Sequence, residues 1–134
     1  YGLAIYTSRS ITSGHIKRVL SGLFEKWGPP ECIKSDNGPE FIAKKIQDWL
    51  PKAGVQTYYI DPGSPWQNGH NESFNGVFRD GCLDRWLFYS VQEARRVINT
   101  WLDEYNTQRP HGALAGVTPA SYVKKLKEKR RKAA

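Results

Sequence analysis

The sequence predicts an α/β domain, with short strands alternating with amphipathic helices in layers. Two observations predict this. Apolar residues recur at helical spacing at Ile16, Val19, Leu20, Leu23, Phe24 and Trp27, and again at Val97, Ile98, Trp101, Leu102 and Tyr105. Strand-length runs at 1–7, 31–35 and 55–60 stand before and between them, bounded by Gly, Pro and Asn.

Taken in order, residues 1–7 read as a strand. Thr12 or Ser13 then caps a helix that buries one face and stops at Gly28-Pro29-Pro30. Residues 31–35 form a short strand delivering Asp36 at its carboxyl end, before the Asn37-Gly38 turn. Pro39 suits the start of a helix running from Phe41 to about Leu50, which Pro51 ends or kinks. Residues 55–60 are a second β-rich run, followed by a Pro- and Gly-bearing loop over 61–69 and a helix holding Glu72. Ser90-Val91-Gln92-Glu93 is a capping box for the helix with the second apolar set, and Thr118-Pro119 caps and starts a last helix.

At 134 residues, 39% hydrophobic and 25% charged, the chain has room for one globular domain with a modest core. Tyr1 opens directly into the strand-like run, so the chain is expected to start inside a fold. No apolar stretch reaches the roughly 20 residues that cross a bilayer, which argues against a membrane role. The net charge is +7, but residues 124–132 hold seven Lys or Arg against one acid, Glu128. The body is therefore near neutral, and the basic run reads either as a solvated helix end or as a phosphate-binding segment. Cys32 and Cys82 have no CxxC partner, and His15, His70 and His111 are scattered, so zinc is not indicated and a reduced intracellular setting fits.

Asp36 and Glu72 carry the candidate chemistry. Cleaving or transferring a phosphodiester needs an activated oxygen nucleophile and a stabilised leaving oxygen, and divalent cations between carboxylates supply both. A strand end and a facing helix are rigid platforms for two such acids. Each also has an ordinary reading: Asp-Asn-Gly is turn chemistry, and a Glu near a helix start complements the helix dipole. Arg79 lies two turns after Glu72 on the same face, with Asn75 and Gly76 between, placing a cation for phosphate or simply a surface arginine.

Three stretches resemble a known family: Ser35-Asp36-Asn37-Gly38-Pro39-Glu40-Phe41, then Pro65-Trp66-Gln67-Asn68-Gly69-His70-Asn71-Glu72-Ser73-Phe74-Asn75-Gly76, and Tyr105-Asn106-Thr107-Gln108-Arg109-Pro110-His111 with Thr118-Pro119-Ala120. Together they resemble the catalytic cores of bacterial insertion-sequence transposases of the retroviral-integrase-like (DDE) group, over almost the whole chain. The 35 residues between Asp36 and Glu72 match that family's spacing, as does a basic residue seven positions after the Glu. The resemblance implies a ribonuclease-H-like fold, a core over 1–123 and a basic tail over 124–134. It implies metal-dependent strand cleavage and transfer on transposon ends and target DNA, with Asp36 and Glu72 as catalytic ligands of Mg²⁺ or Mn²⁺, two ions in the complete enzyme. Gln67, Asn68, Asn75, Arg79 and Arg109 are the implied nucleic-acid contacts, with Arg109 and His111 either touching the DNA backbone or bracing the domain. It also implies a homo-oligomer on DNA and a cytoplasmic, nucleoid-associated bacterial protein.

The sequence departs from that family in lacking an Asp among residues 1–35, so the first of three catalytic acids has no counterpart. Residues 1–7 resemble the third strand of the fold, and the first two strands are expected upstream. The chain alone is therefore expected to be inactive. A non-catalytic DNA-binding remnant is the alternative, and a host nuclease of the same fold is a third reading, which the 105–111 stretch and Thr118-Pro119 disfavour. Pro51 and Trp66 also depart from the family, and Trp66 is expected to pack under its loop rather than stack on a base.

Overall fold

The computed structural model describes residues 1–134, apart from the side chain of Pro65. It divides into two units, Ser8–Trp86 and a second made of Tyr1–Thr7 with Leu87–Ala134.

The first unit begins with helix α1, Ser13–Trp27. Thr12 caps it: its hydroxyl accepts the His15 N–H, while His15 Nδ1 accepts the Thr12 N–H at 3.2 Å. A histidine thus fills the reciprocal place that Glu or Gln usually takes. Gly28, at φ 82°, ends the helix in a conformation that a Cβ would resist. The face expected to be buried is only half-buried. Ile16, Leu20 and Phe24 cover a small core of Ile46, Leu50 and Val55, and Phe24 stacks on Trp49 with ring centroids 5.4 Å apart.

Strands β1, Cys32–Ser35, and β2, Gln56–Tyr59, pair in parallel, with Cys32 opposite Gln56 and Ser35 opposite Tyr59. Parallel neighbours need a crossover, and two helices provide it: α2, Pro39–Ile42, and α3, Lys44–Lys52. The single helix expected from Phe41 is therefore broken, because Ala43 takes an extended ψ of 137° between the two. Pro51 does not end α3 where it stands. It sits in the last turn, where the missing N–H forfeits one bond at most, and the helix closes one residue later. A 3₁₀ turn, Pro65–Asn68, leads into α4, Gly69–Gly81.

In the second unit, α5, Val91–Thr107, buries Ala94, Ile98, Leu102 and Asn106, four residues spaced by four along one stripe. Ser90 caps it by accepting the Glu93 N–H at 3.0 Å, but the expected box is incomplete: the Glu93 carboxylate accepts the Tyr89 N–H at 2.9 Å, one residue before the cap. Helix α6, Pro119–Ala133, starts at Thr118, whose hydroxyl accepts the Ser121 N–H, and packs on α5 with Pro119 buried. Residues 1–7 form no strand, against expectation. A ladder needs a neighbouring strand, and here side chains bond the backbone instead: the Asn106 amide pairs with both the N–H and the carbonyl of Gly2, and Arg95 donates to the Thr7 carbonyl at 3.1 Å. Among the described residues, no helix is long and apolar enough to cross a membrane.

Candidate functional site

The carboxyl end of β1 carries the first candidate acid, and its surroundings explain why the backbone there is fixed. Ser35 is buried, its carbonyl accepts the Ile60 N–H at 2.9 Å, and its hydroxyl donates to the Asp36 carbonyl. Asn37 then reaches back, its amide donating to the Ile60 carbonyl at 2.6 Å. Asp36 itself is exposed, with Oδ1 accepting the Gly38 N–H at 3.0 Å in an Asx turn. Tyr59 ties α2 to the same strand ends, its hydroxyl donating to the Phe41 carbonyl at 3.2 Å.

Gly38 is where the site is tightest. A Cβ there would meet Glu40 Oε1 at 2.8 Å and Asp36 Oδ1 at 3.1 Å. Two carboxylates thus crowd one glycine, and Glu40 is a neighbour of Asp36 that pattern reading did not single out. The signal was present in the Asp-Asn-Gly-Pro-Glu spacing, since Pro39 starts a helix and brings Glu40 back over the turn.

Asp36 opens onto a cleft of about 420 Å³, whose lining includes Lys34, Gln67, Asn68, His70 and Asn71. The loop and first turn of α4 immediately before Glu72 therefore share this cleft with Asp36. Glu72 is exposed in that same first turn. Helix α4 has two distinct sides: Phe74, Val77 and Phe78 are half-buried, whereas Glu72, Asn75 and Arg79 are exposed at helical spacing on the other side. Arg79 also lies in the last turn, where a cation complements the helix dipole. His70 and Asn71 were not picked out from the sequence, because a scattered histidine and a helix-start asparagine have no distinctive spacing.

Gln67 braces the loop in this structure: its amide oxygen accepts the Asp61 N–H, and its amide nitrogen donates to the Asp61 carboxylate, each at 3.0 Å. Trp66 does not pack under the loop, since 75% of its surface is exposed. It stands in the short 3₁₀ turn Pro65–Asn68.

Arg109 and His111 belong to the second unit. Arg109 is exposed and borders a shallow cleft of about 250 Å³ with Trp101 and Glu104. His111 packs edge-on against Tyr105, with ring centroids 4.8 Å apart, and its Nε2 is buried without a hydrogen-bond partner. Burial lowers the His111 pKa, and the Arg109 charge lowers it further. Burial raises that of Tyr105. A larger cleft, about 630 Å³ beside α3 and β2, has no acid in its lining and offers nothing for phosphate chemistry.

The donor set fits a hard divalent cation in kind, because Asp36 and Glu72 offer carboxylate oxygens and no sulfur. Among the described residues, no group of three or more His, Cys, Asp or Glu is gathered to hold a metal.

The integrase core domain family matches residues 1–65 and residues 53–119. The chain is similar to a 39.2 kDa protein of insertion element IS476 from Xanthomonas euvesicatoria, 37% identical over 89% of this chain and 34% of that protein. It is equally similar to a 31.7 kDa protein of insertion element IS407 from Burkholderia multivorans, 37% identical over 90% of this chain and 44% of that one. The chain thus spans between a third and a half of the length of these relatives. Among solved structures it is similar to the HTLV-2 integrase catalytic core domain in complex with magnesium, with TM-score 0.62 and 21% identity over 83% of this chain and 69% of that one. It is also similar to the catalytic core domain of BIV integrase, with TM-score 0.58 and 20% identity over 89% of this chain and 76% of that one. The fold is that of these integrase cores, which is ribonuclease-H-like.

Proposed function

The chain belongs to the integrase core domain family, and from that premise we propose that it is part of the DNA-acting core of an insertion-sequence transposase, which cleaves and joins DNA strands with divalent metal. The observation that carries this is the cleft that Asp36 shares with the residues leading directly into Glu72. Relatives encoded by insertion elements support the reading.

In this proposal Asp36 and Glu72 hold Mg²⁺ or Mn²⁺, with two ions in the complete enzyme; the magnesium in the HTLV-2 core supports a divalent cation. When bound, the cations supply Lewis-acid activation of an attacking water or hydroxyl and neutralise phosphate charge. The chain's own residues do the positioning. The Asn37 bond to Ile60 and the Asx turn hold the Asp36 carboxylate at the strand end, which supports its role as a pre-positioned ligand. Asn75 and Arg79, on the exposed side of α4, receive the phosphate backbone, and Arg79 gives it a charge-assisted hydrogen bond. Asn68, in the cleft with Asp36, contacts DNA near the reacting phosphodiester, while Gln67 holds the loop and meets DNA only if it leaves Asp61. Exposed Trp66 offers a flat ring to an unpaired base. Arg109 contacts the backbone from the second unit. Residues 1–123 act as the core, and the protein assembles as a homo-oligomer on DNA, a reading supported by the dimeric and trimeric forms of the HTLV-2 core.

Two acids fall short of the three that such a clamp uses, so in this reading the 134-residue chain alone does not nick or join DNA. A second reading, a DNA-binding remnant without catalysis, draws on the exposed basic run of 124–132. Assaying nicking and strand transfer with Mg²⁺ in an extended protein, one that carries any coding sequence found upstream of Tyr1, separates them. Activity that disappears in Asp36→Ala and in Glu72→Ala supports the enzyme. No activity in the extended protein, with fold and DNA binding intact, supports the remnant.

A further inference from the structure

We propose that the carboxyl half of α6 is a separate nucleic-acid contact, a basic arm that binds the phosphate backbone of duplex DNA without reading its sequence. Residues 124–132 hold seven of the chain's 20 Lys and Arg and one acid, so nearly all of the net charge of +7 lies on this one helix. The structure makes the run a continuous helix to Ala133 rather than an irregular tail. Its amino-terminal end is anchored, with Pro119 buried, Thr118 as cap, and the helix packed on α5. Every residue from Lys124 onward is exposed.

The arrangement suits a polyanion. Lys125 and Lys129, and Lys127 and Arg131, are like charges four residues apart, which destabilise an isolated helix by a few tenths of a kcal/mol each, and Glu128 is the one acid in the run to set against its seven cations. An anion laid alongside relieves that repulsion. The nine residues cover about 13 Å at roughly 1.5 Å per residue, and duplex DNA presents a charge about every 1.7 Å along its axis, so several phosphates face the arm at once. A membrane surface is the poorer partner. Helices that lie in a bilayer interface need a broad apolar side, and after Val123 only Leu126, Ala133 and Ala134 are apolar.

The identity of the polyanion rests on the DNA-acting reading above, but the test does not depend on catalysis. The full chain is titrated into a fluorescent random-sequence duplex at a series of salt concentrations, beside a variant carrying Lys129→Gln, Arg130→Gln, Arg131→Gln and Lys132→Gln. Circular dichroism monitors the helix. The slope of log K against log salt should shrink by about 0.9 for each phosphate no longer neutralised, about 2 to 4 in total. A variant with Lys129→Arg and Lys132→Arg should keep both affinity and slope. Unchanged affinity and slope in the Gln variant overturns the proposal, as does binding to phosphatidylserine vesicles without binding to DNA. The Gln variant, whose changes all lie in α6, should bind Mn²⁺ as the parent does, so a failure of the arm and a failure of the acidic site are read separately.

Discussion

The amide of Asn37 donates to the carbonyl of Ile60 across 2.6 Å, clipping the turn that bears Asp36 to the end of the neighbouring strand. The bond spans 23 residues of sequence and lies just where β1 and β2 stop pairing. Asn37→Ala should lower stability by about 1 kcal/mol, the usual worth of one such bond. It should also raise hydrogen exchange at Gly38, whose N–H bonds Asp36. Thermal melting and amide exchange check this. An unchanged exchange rate at Gly38 would mean that the turn holds itself.

In the second unit, buried Asn106 plays a comparable part by pairing with both backbone groups of Gly2, at 2.9 and 2.8 Å. Asn106→Leu should destabilise by roughly 2–3 kcal/mol, since it removes two bonds and leaves a backbone N–H and carbonyl without partners. Asn106→Asp should recover only the bond to the Gly2 N–H. A chemical-denaturation series on the three proteins measures both effects, and a Leu variant as stable as the parent would refute them.

His111 makes stability depend on pH. Burial, then the Arg109 and amino-terminal charges, lower its pKa below the ordinary 6.5. Above 6.5 both folded and unfolded chains hold it neutral, so its contribution is fully present. As pH falls below 6.5 the unfolded chain takes up the proton first, and stability declines until the folded pKa is passed. His111→Phe keeps the ring against Tyr105 and should flatten this part of the melting profile. An equally steep decline in the Phe variant would assign it to other groups.

Arg79 is exposed in the last turn of α4. If it meets phosphate, Arg79→Ala in the DNA-binding protein should weaken binding across sequences and reduce the salt slope by about 0.9. Melting should shift by no more than the ~0.5 kcal/mol of a typical surface change. A fall in melting temperature with an unaltered slope would make it a helix-dipole partner only.

What was legible in the sequence was local. The helical periodicity of α1 and α5, the caps at Thr12, Ser90 and Thr118, the stop at Gly28 and the strand end before Asp36 all depend on residues a few positions apart. What was missed depends on distance or on competition. Residues 1–7 have strand composition but no ladder partner, and the partner that replaces one, Asn106, is 104 residues away. The break at Ala43 divides what reads as one helix, and Pro51 is tolerated because it falls in the last turn of α3, a position that depends on where the helix starts and stops. Pattern reading does not single out Glu40, and only the folded turn brings its carboxylate against Gly38 together with that of Asp36.

The central claim is that Asp36 and Glu72 together hold a divalent cation, and a Mn²⁺ titration followed by electron paramagnetic resonance tests it without requiring activity. With only two carboxylates, the chain should bind one ion weakly. That binding should be lost in Asp36→Ala and in Glu72→Ala, while circular dichroism stays unchanged and Glu40→Gln has a smaller effect. Retention of full Mn²⁺ binding in Glu72→Ala, with loss in Glu40→Gln, would contradict the account and make Glu40 the partner of Asp36.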